Sequence, residues 1–499
     1  MKRLGIPSWK IVDHDSNATS YNKYNYQWNK VFDVVFPVAF FIPSSVCDVQ
    51  ATVKCGWAAR IQLVPNSGGH SYAGLSLGTN HSIVVDFRYM NSIDINDEDE
   101  SFTVGPGALV GPINAKLWRN GGWGIALGNC MTVAIGGHGI GGGYGIYSTL
   151  YGLVIDNLLE IEMVDAQGNA VTVNPNRNSD LWWAMRGVGP GYIGLVTSYK
   201  LKMFKAKNLK LTHVRVAYKN KDLPLVVEQY TKWLDWAKRN NESVNAIVSA
   251  TSDNHSAGFE FTGSGVEVHL VHIQDPDIQP TSSEAVLNAY PKYFTNSTRT
   301  EVQTASYIDV LIATSYTPIA PSKTLSVADG TFENIREKKL DFFLSLTKEM
   351  ATITYSYTKS YFVDKKFRAK DLIDAQKVFA KITPNPIVWF TSEQGAVAAP
   401  RSTDCAYVHR DNLYNVRVRF DGPQYDDFLA AKSWIDEFVD VTRFMDKGET
   451  YQNFPEKNLK NYLHRYYGKN LNRLIRIKTK WDPYGYFRSE QSIPTLFQT

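Results

Sequence analysis

Two stretches decide how this 499-residue chain is read: Pro65-Asn66-Ser67-Gly68-Gly69-His70-Ser71-Tyr72-Ala73-Gly74 and Gly128-Asn129-Cys130-Met131-Thr132-Val133-Ala134-Ile135-Gly136-Gly137-His138-Gly139-Ile140-Gly141-Gly142-Gly143-Tyr144-Gly145. Glycine at this density leaves backbone N–H groups uncovered and lets main chain approach a ligand closely. That chemistry suits a phosphate or pyrophosphate. Each loop also carries one side chain able to form a covalent bond, His70 and Cys130. Neither loop has the Gly-Lys-Ser/Thr of a P-loop. Neither has the strand, tight turn, helix and downstream acid of a dinucleotide fingerprint. On spacing alone, a pair of tight turns in a large α+β protein explains them equally well.

Working outward, residues 44–59 read as a helix capped by Ser44 or Ser45, and residues 61–64 as a short buried strand running into the His70 loop. Strands follow at 82–87 and 101–104, a helix at 110–120, a hairpin at 158–164 and 170–173, and a helical turn at 181–186. The character changes near residue 205. Beyond it, 209–216, 246–250, 258–262, 267–272, 387–391 and 414–420 read as strands. Residues 225–239, 332–350 and 369–382 read as helices, and 471–480 as a basic amphipathic helix near the end. This mixture predicts an α+β protein of two or three domains.

Composition excludes several classes. Hydrophobic residues make up 43% and charged residues 20%, as in an ordinary globular protein. With 53 basic and 49 acidic residues and a net charge of +4, no basic stripe suggests nucleic acid. No apolar run approaches the ~20 residues of a membrane span. The first residues lack the apolar core of a signal peptide, so the chain is either intracellular or numbered after signal removal. Sequons at Asn17, Asn80, Asn241, Asn254 and Asn296 are about as many as chance provides. Four cysteines, Cys47, Cys55, Cys130 and Cys405, are too few for a disulfide scaffold, and none has zinc-site spacing. Cys47 and Cys55 would lie roughly 12 Å apart along the 44–59 helix, too far to bridge, and are expected to be buried thiols. No metal site is expected.

Ser67-Gly68-Gly69-His70-Ser71, Cys130 with Thr132-Val133, and Gly136-Gly137-His138 resemble the berberine-bridge-enzyme-like flavoproteins of the vanillyl-alcohol-oxidase superfamily. The resemblance covers nearly the whole chain and extends to the tail, from Tyr466-Tyr467-Gly468 through Trp481-Asp482-Pro483 to Gln491-Ser492-Ile493. It implies a two-part FAD-binding domain at 1–205 and 445–499. It also implies a substrate domain at 206–444, built on an antiparallel sheet flanked by helices. It implies FAD bound covalently through His70 and Cys130, with Asn66, Ser67, Gly68, Gly69, Ser71, Val133, Gly136, Gly137, His138, Gly141, Tyr144, Gly194, Val196, Asn453 and Gln491 at the cofactor. His138 reads equally as a structural residue. Tyr192 is bulkier than the Ser or Asn usual in that segment, and Met131 replaces the usual proline after the cysteine.

Oxidising an alcohol needs a base for the hydroxyl proton. By resemblance that base is Tyr451, in Tyr451-Gln452-Asn453-Phe454. In sugar oxidases of the family an acid set in Trp-x-x-x-Asp hydrogen-bonds this tyrosine. Trp389-Phe390-Thr391-Ser392-Glu393 fits the frame with Glu in place of Asp, although Glu393 alone reads equally as a turn residue. The phenol's ordinary pKa near 10 must fall for it to act at neutral pH. Tyr72 and Tyr144 stand where the family places active-site tyrosines. Tyr72, Trp389 and Thr391 are expected at the substrate, although Trp389 by itself reads as core. Val133 is small enough to leave dioxygen a path to the flavin.

The resemblance thus implies a secreted, monomeric FAD-dependent oxidase that turns the anomeric hydroxyl of an oligosaccharide into a lactone and dioxygen into hydrogen peroxide. A second reading keeps the flavin and changes the substrate to an allylic or benzylic alcohol or an alkaloid-like amine. A third makes the chain a flavin-fold binding protein with little turnover. Intact His70, Cys130, Tyr144 and Tyr451 speak against the third.

Overall fold

The His70 loop is launched from a parallel pair of strands. In the computed structural model, which describes every residue except 1–6, 16–17, 26, 33, 241–243, 252–264, 279–282, 316–331, 382–385 and 499, the helix Val46–Ala59 feeds the strand Gln62–Asn66. Ser45 caps the helix, its hydroxyl accepting from Asp48 N at 3.2 Å, which satisfies one of the free N–H groups of the first turn. Val49, Thr52, Val53 and Gly56 form its buried face. Gln62–Asn66 pairs parallel with Ser82–Asp86, which in turn pairs with Ala39–Phe41. A strand pair this buried ends its hydrogen-bond ladder at Asn66, and the glycine-rich loop begins there.

An antiparallel five-stranded sheet follows, in the order Ile93–Asn96, Ser101–Val104, Leu195–Lys202, Leu158–Val164, Ala170–Val173. The predicted hairpin is its edge. Beyond Lys205 all the strands among the described residues join one antiparallel sheet of seven. Its order is Arg299–Ser306, Lys210–Tyr218, Gly265–Gln274, Val244–Thr251, Ile387–Ser392, Tyr414–Gly422, Tyr355–Val363. One face packs on the helices Leu223–Arg239, Ile373–Phe379 and Tyr425–Val441, burying Val416, Val418, Phe420, Trp233 and Trp434 in one cluster. Each such side chain contributes about 1.5–3 kcal/mol. The fold is α+β, as expected.

The tail returns to the N-terminal sheets. On the helix Leu471–Trp481, Lys478 is fully buried and pairs with Asp482 at 2.7 Å. Its ammonium also donates to the carbonyls of Tyr192 and Phe487. Asp482 accepts from Tyr486 N and Phe487 N. Removing either partner would strand a buried charge, at a cost of about 3–5 kcal/mol.

Several sequence expectations are corrected. Cys47 is exposed and Cys55 only half-buried, because the buried face of their helix runs through Val49, Val53 and Gly56 instead. The predicted helix 332–350 stops at Leu344, and Thr347 turns extended so that a short 3-10 turn, Lys348–Met350, drops inward. The predicted strand 258–262 and the sequons at Asn17, Asn241 and Asn254 lie outside the described residues. The strands Arg299–Ser306 and Tyr355–Val363 and the helix Tyr425–Val441 were not foreseen. No helix among the described residues is long and apolar enough to cross a membrane.

Candidate active site

Both glycine-rich loops face the seven-stranded sheet across a cavity of about 940 Å³. Of the residues expected at the site, Ser67, Gly68, Gly69, His70, Ser71, Tyr72, Cys130, Val133, Gly136, Gly137, His138 and Tyr144 line it from the loops. Gly194, Val196, Trp389, Thr391, Glu393, Tyr451 and Asn453 line it from elsewhere. Three expected residues do not. Asn66 lies beneath the wall, its Oδ1 accepting from Lys348 Nζ at 2.9 Å. Gly141 backs onto Asn453. Gln491 is buried inside the tail, accepting from the Tyr466 hydroxyl at 2.9 Å and donating to Glu456 O at 2.6 Å. Its amide is used up in holding the tail.

The loop wall is backbone. At Gly136 a Cβ would stand 2.2 Å from Ser67 Oγ and 2.7 Å from Pro106 O, so only glycine lets the two loops pack together. At Gly137 a Cβ would meet nothing within 4 Å and would project into open space. His138 Nε2 accepts from Gly128 N at 3.0 Å, which ties the start of the second loop to its short helix Ile135–His138. Burial holds its imidazole neutral, with its pKa near 4.

His70 and Cys130 meet around one hydroxyl. Thr132 Oγ1 lies 3.1 Å from His70 Nε2 and 3.8 Å from Cys130 Sγ. Trp28 stacks on the His70 ring, with centroids 5.5 Å apart. Burial, with help from Arg419 and Lys348, pushes His70 down to about 3, so the imidazole is neutral. Burial pushes the Cys130 thiol up. Lys348 reaches the same region from the inward turn and bridges Asn66 and Asp86 Oδ2, the latter at 3.0 Å.

At the other end stands Tyr451. Its phenolic oxygen accepts from Gly143 N at 2.8 Å, Tyr144 N at 3.2 Å and Asn453 Nδ2 at 3.1 Å. Three N–H groups converging on one oxygen form an oxyanion-type nest. Burial nevertheless raises this phenol above its ordinary value. The Asn453 contact and the two backbone donors pull it back, while Glu393 adds to the rise. The protein by itself therefore does not lower the Tyr451 pKa.

No hydrogen bond joins Tyr451 to Glu393. Glu393 is 4% exposed, and its Oε2 has no partner among the described residues. Burial raises its carboxyl to about 8 against the pull of Arg410, so the acid is protonated at neutral pH. Arg410 is itself held by Asp156 at 2.6 and 2.8 Å. The added methylene of Glu leaves the carboxyl within electrostatic reach of Tyr451, Tyr144 and Tyr407 but bonded to none of them. Tyr144 donates to Ser392 O at 2.9 Å and accepts from Asn245 Nδ2 at 3.1 Å.

The sheet wall is side chain. Along Tyr414–Gly422, Asn415, Arg417, Arg419 and Asp421 line the cavity, while Tyr414, Val416, Val418 and Phe420 point into the helix-covered core. Arg417 is cross-strand partner to Trp389 and lies over its ring at 4.1 Å and over Phe454 at 4.8 Å. Trp389 is therefore a cavity residue and not core. Burial pushes Arg417 down to about 10, which leaves it cationic. Sequence reasoning missed Arg417 and Arg419, although the strict apolar–polar alternation of Asn415-Val416-Arg417-Val418-Arg419-Phe420 carried the signal.

These residues fit FAD. The backbone cradle stays open above Gly137, and the neutral imidazole and thiol stand together at one place on the wall. Residues 37–174 match the family model described as FAD binding domain, and residues 450–494 the one described as berberine and berberine like. The chain is 24% identical over 470 residues to a chitooligosaccharide oxidase of Gibberella zeae, spanning 92% of this chain and 87% of that one. It is 27% identical over 473 residues to a carbohydrate oxidase of Microdochium nivale, spanning 92% and 88%. The glucooligosaccharide oxidase of Acremonium strictum, whose FAD is 6-S-cysteinyl and 8α-N1-histidyl, has the same fold at a TM-score of 0.77, with 21% identity over 97% of this chain and 96% of that one. Its likeness to this chain is one of fold alone. The glycine-loop segment thus carries an FAD-binding domain and the tail a berberine-like segment, and they come together in a fold that this chain shares with FAD-linked oxidases.

Proposed function

We propose that this protein oxidises the anomeric hydroxyl of a carbohydrate to a lactone and passes the electrons to dioxygen, giving hydrogen peroxide. The observation that carries the reading is the nest of three N–H groups on Tyr451 Oη, inside a cavity that also holds His70, Cys130 and Trp389. The oligosaccharide and carbohydrate oxidases among its relatives support the choice of substrate.

FAD held by the glycine-rich loops and by covalent bonds from His70 and Cys130 would supply the hydride acceptor and the site that reacts with oxygen. The chain's own residues do the rest. Tyr451 takes the proton of the anomeric hydroxyl, and its three N–H donors stabilise the phenolate against the burial that raises its pKa. Asn453 orients Tyr451 and is tied in turn to His138 O at 3.2 Å. Protonated Glu393 spares the phenolate a neighbouring negative charge. Thr132 holds His70 at Nε2 beside Cys130, so that both tethering atoms face one ligand edge. Val133, three residues past Cys130, leaves room for dioxygen. The division into units 1–205, 206–444 and 445–499 belongs to the same reading, since Lys205 ends the last strand before the seven-stranded sheet. Secretion is part of it too.

A screen for peroxide release over mono- and oligosaccharides, aromatic alcohols and amines tests the function, together with acid precipitation of the holoprotein. Peroxide with sugars, and flavin that stays with the precipitate, are the expected results. Turnover of alcohols or amines but no sugar would overturn the carbohydrate reading. Flavin released into the supernatant would overturn the covalent one.

A further inference from the structure

Two arginines line the cavity, and they are not equivalent. Arg419 is neutralised by Asp421, two residues along the same strand. The Arg417 guanidinium makes no hydrogen bond or ion pair among the described residues. It lies over the Trp389 ring at 4.1 Å and over the Phe454 ring at 4.8 Å. Contact with two ring faces offsets part of its desolvation. It satisfies none of the five N–H donors.

No carboxylate among the described residues bonds to it directly, and Asp421, which attracts it through space, is paired with Arg419. Glu393 is protonated at neutral pH, and His70 and His138 are neutral. A half-buried cation with no directly bonded counter-ion is stabilised when a ligand anion binds it. Sugar hydroxyls would satisfy the donors but not the charge. A planar carboxylate does both, through the bidentate geometry that guanidinium favours. Arg417 also occupies one face of Trp389, so a sugar ring cannot lie flat on that face.

We infer that Arg417 selects a carboxylate-bearing carbohydrate, such as a uronic-acid oligosaccharide, over its neutral counterpart. The inference rests on the carbohydrate-oxidase reading above and adds the substrate's charge to it.

The test uses flavin-loaded enzyme and matched substrate pairs: cellobiouronate with cellobiose, and digalacturonate with its carboxyl-reduced form. Wild type is expected to favour the acidic member of a pair in kcat/KM by about 10- to 150-fold, the range of a charge-assisted hydrogen bond. Arg417→Gln should erase that preference by raising KM for the acidic member far more than for the neutral one. Arg417→Lys should keep part of it, because the charge remains and the fork is lost. Equal rates for both members in wild type would overturn the inference while leaving the carbohydrate reading intact. So would an equal loss on both members in Arg417→Gln, which would mark the arginine as acting on the cofactor or the fold. Since the wild-type comparison needs no variant, a misfolded Arg417→Gln would not spare the inference. If no sugar of either kind is oxidised but alcohols or amines are, the underlying function fails, and the inference with it.

Discussion

The two walls of the cavity are made in opposite ways. The loop wall, residues 65–74 and 128–145, presents backbone, and its side chains are few and special: His70, Cys130, Thr132, Tyr144. The sheet wall, on Ile387–Ser392 and Tyr414–Gly422, presents a row of side chains from a regular ladder. A backbone wall can grip a ligand's invariant part, because N–H groups do not change with sequence. A side-chain wall can be re-lettered at every second position without disturbing the core behind it, because alternate residues face opposite sides. In this molecule the first wall fits a cofactor and the second carries Arg417 and Trp389. Tyr451 comes from neither wall. It enters from the tail side, and the loop wall's N–H groups at Gly143 and Tyr144 pin it.

The sharpest way to break this division is at the meeting point. Tyr451→Phe removes the proton acceptor and should slow anaerobic flavin reduction by a sugar about 100- to 10,000-fold. It also leaves three N–H donors without an acceptor, so a stability loss of about 1–3 kcal/mol should accompany it. Stopped-flow reduction of enzyme that still carries flavin separates the two effects. An unchanged reduction rate would mean that the nest serves structure alone.

Glu393 tests the sheet wall through pH. Its folded-state carboxyl is raised from 4.5 to about 8. The folded chain therefore keeps a proton that the unfolded chain releases, and stability should fall as pH rises from about 4.5 to about 8 and level off above. Glu393→Gln should flatten that slope and gain on the order of a few kcal/mol at pH 9, measured by denaturant titration across pH. A wild-type slope that survives in the variant would place its origin elsewhere.

The smallest effect is expected from Gly136→Ala on the loop wall. Its new Cβ would push Ser67 and Pro106 apart, costing about 1–3 kcal/mol. It should lower the melting temperature and the fraction of flavin retained, while the KM of the loaded enzyme stays the same. A change in KM without loss of flavin would erase the distinction between the walls.

The sequence by itself marked out the loop wall and the tail motif and singled out His70, Cys130 and Tyr451, because glycine density and short motifs are local properties. The helix Val46–Ala59 with its cap and the 158–173 hairpin were legible for the same reason. What only the tertiary structure decided is long-range. Strand register set Arg417 across from Trp389 and turned both to the cavity. Burial, not spacing, protonated Glu393, and the longer Glu side chain stands without the hydrogen bond to Tyr451 that its place in the motif suggested. Gln491 matched a motif yet is consumed inside the tail. Lys348, read as one more residue of a long helix, drops beneath the His70 loop because the chain extends at Thr347. In each case a pairing between distant segments fixed the outcome, and no window of neighbouring residues contains that pairing.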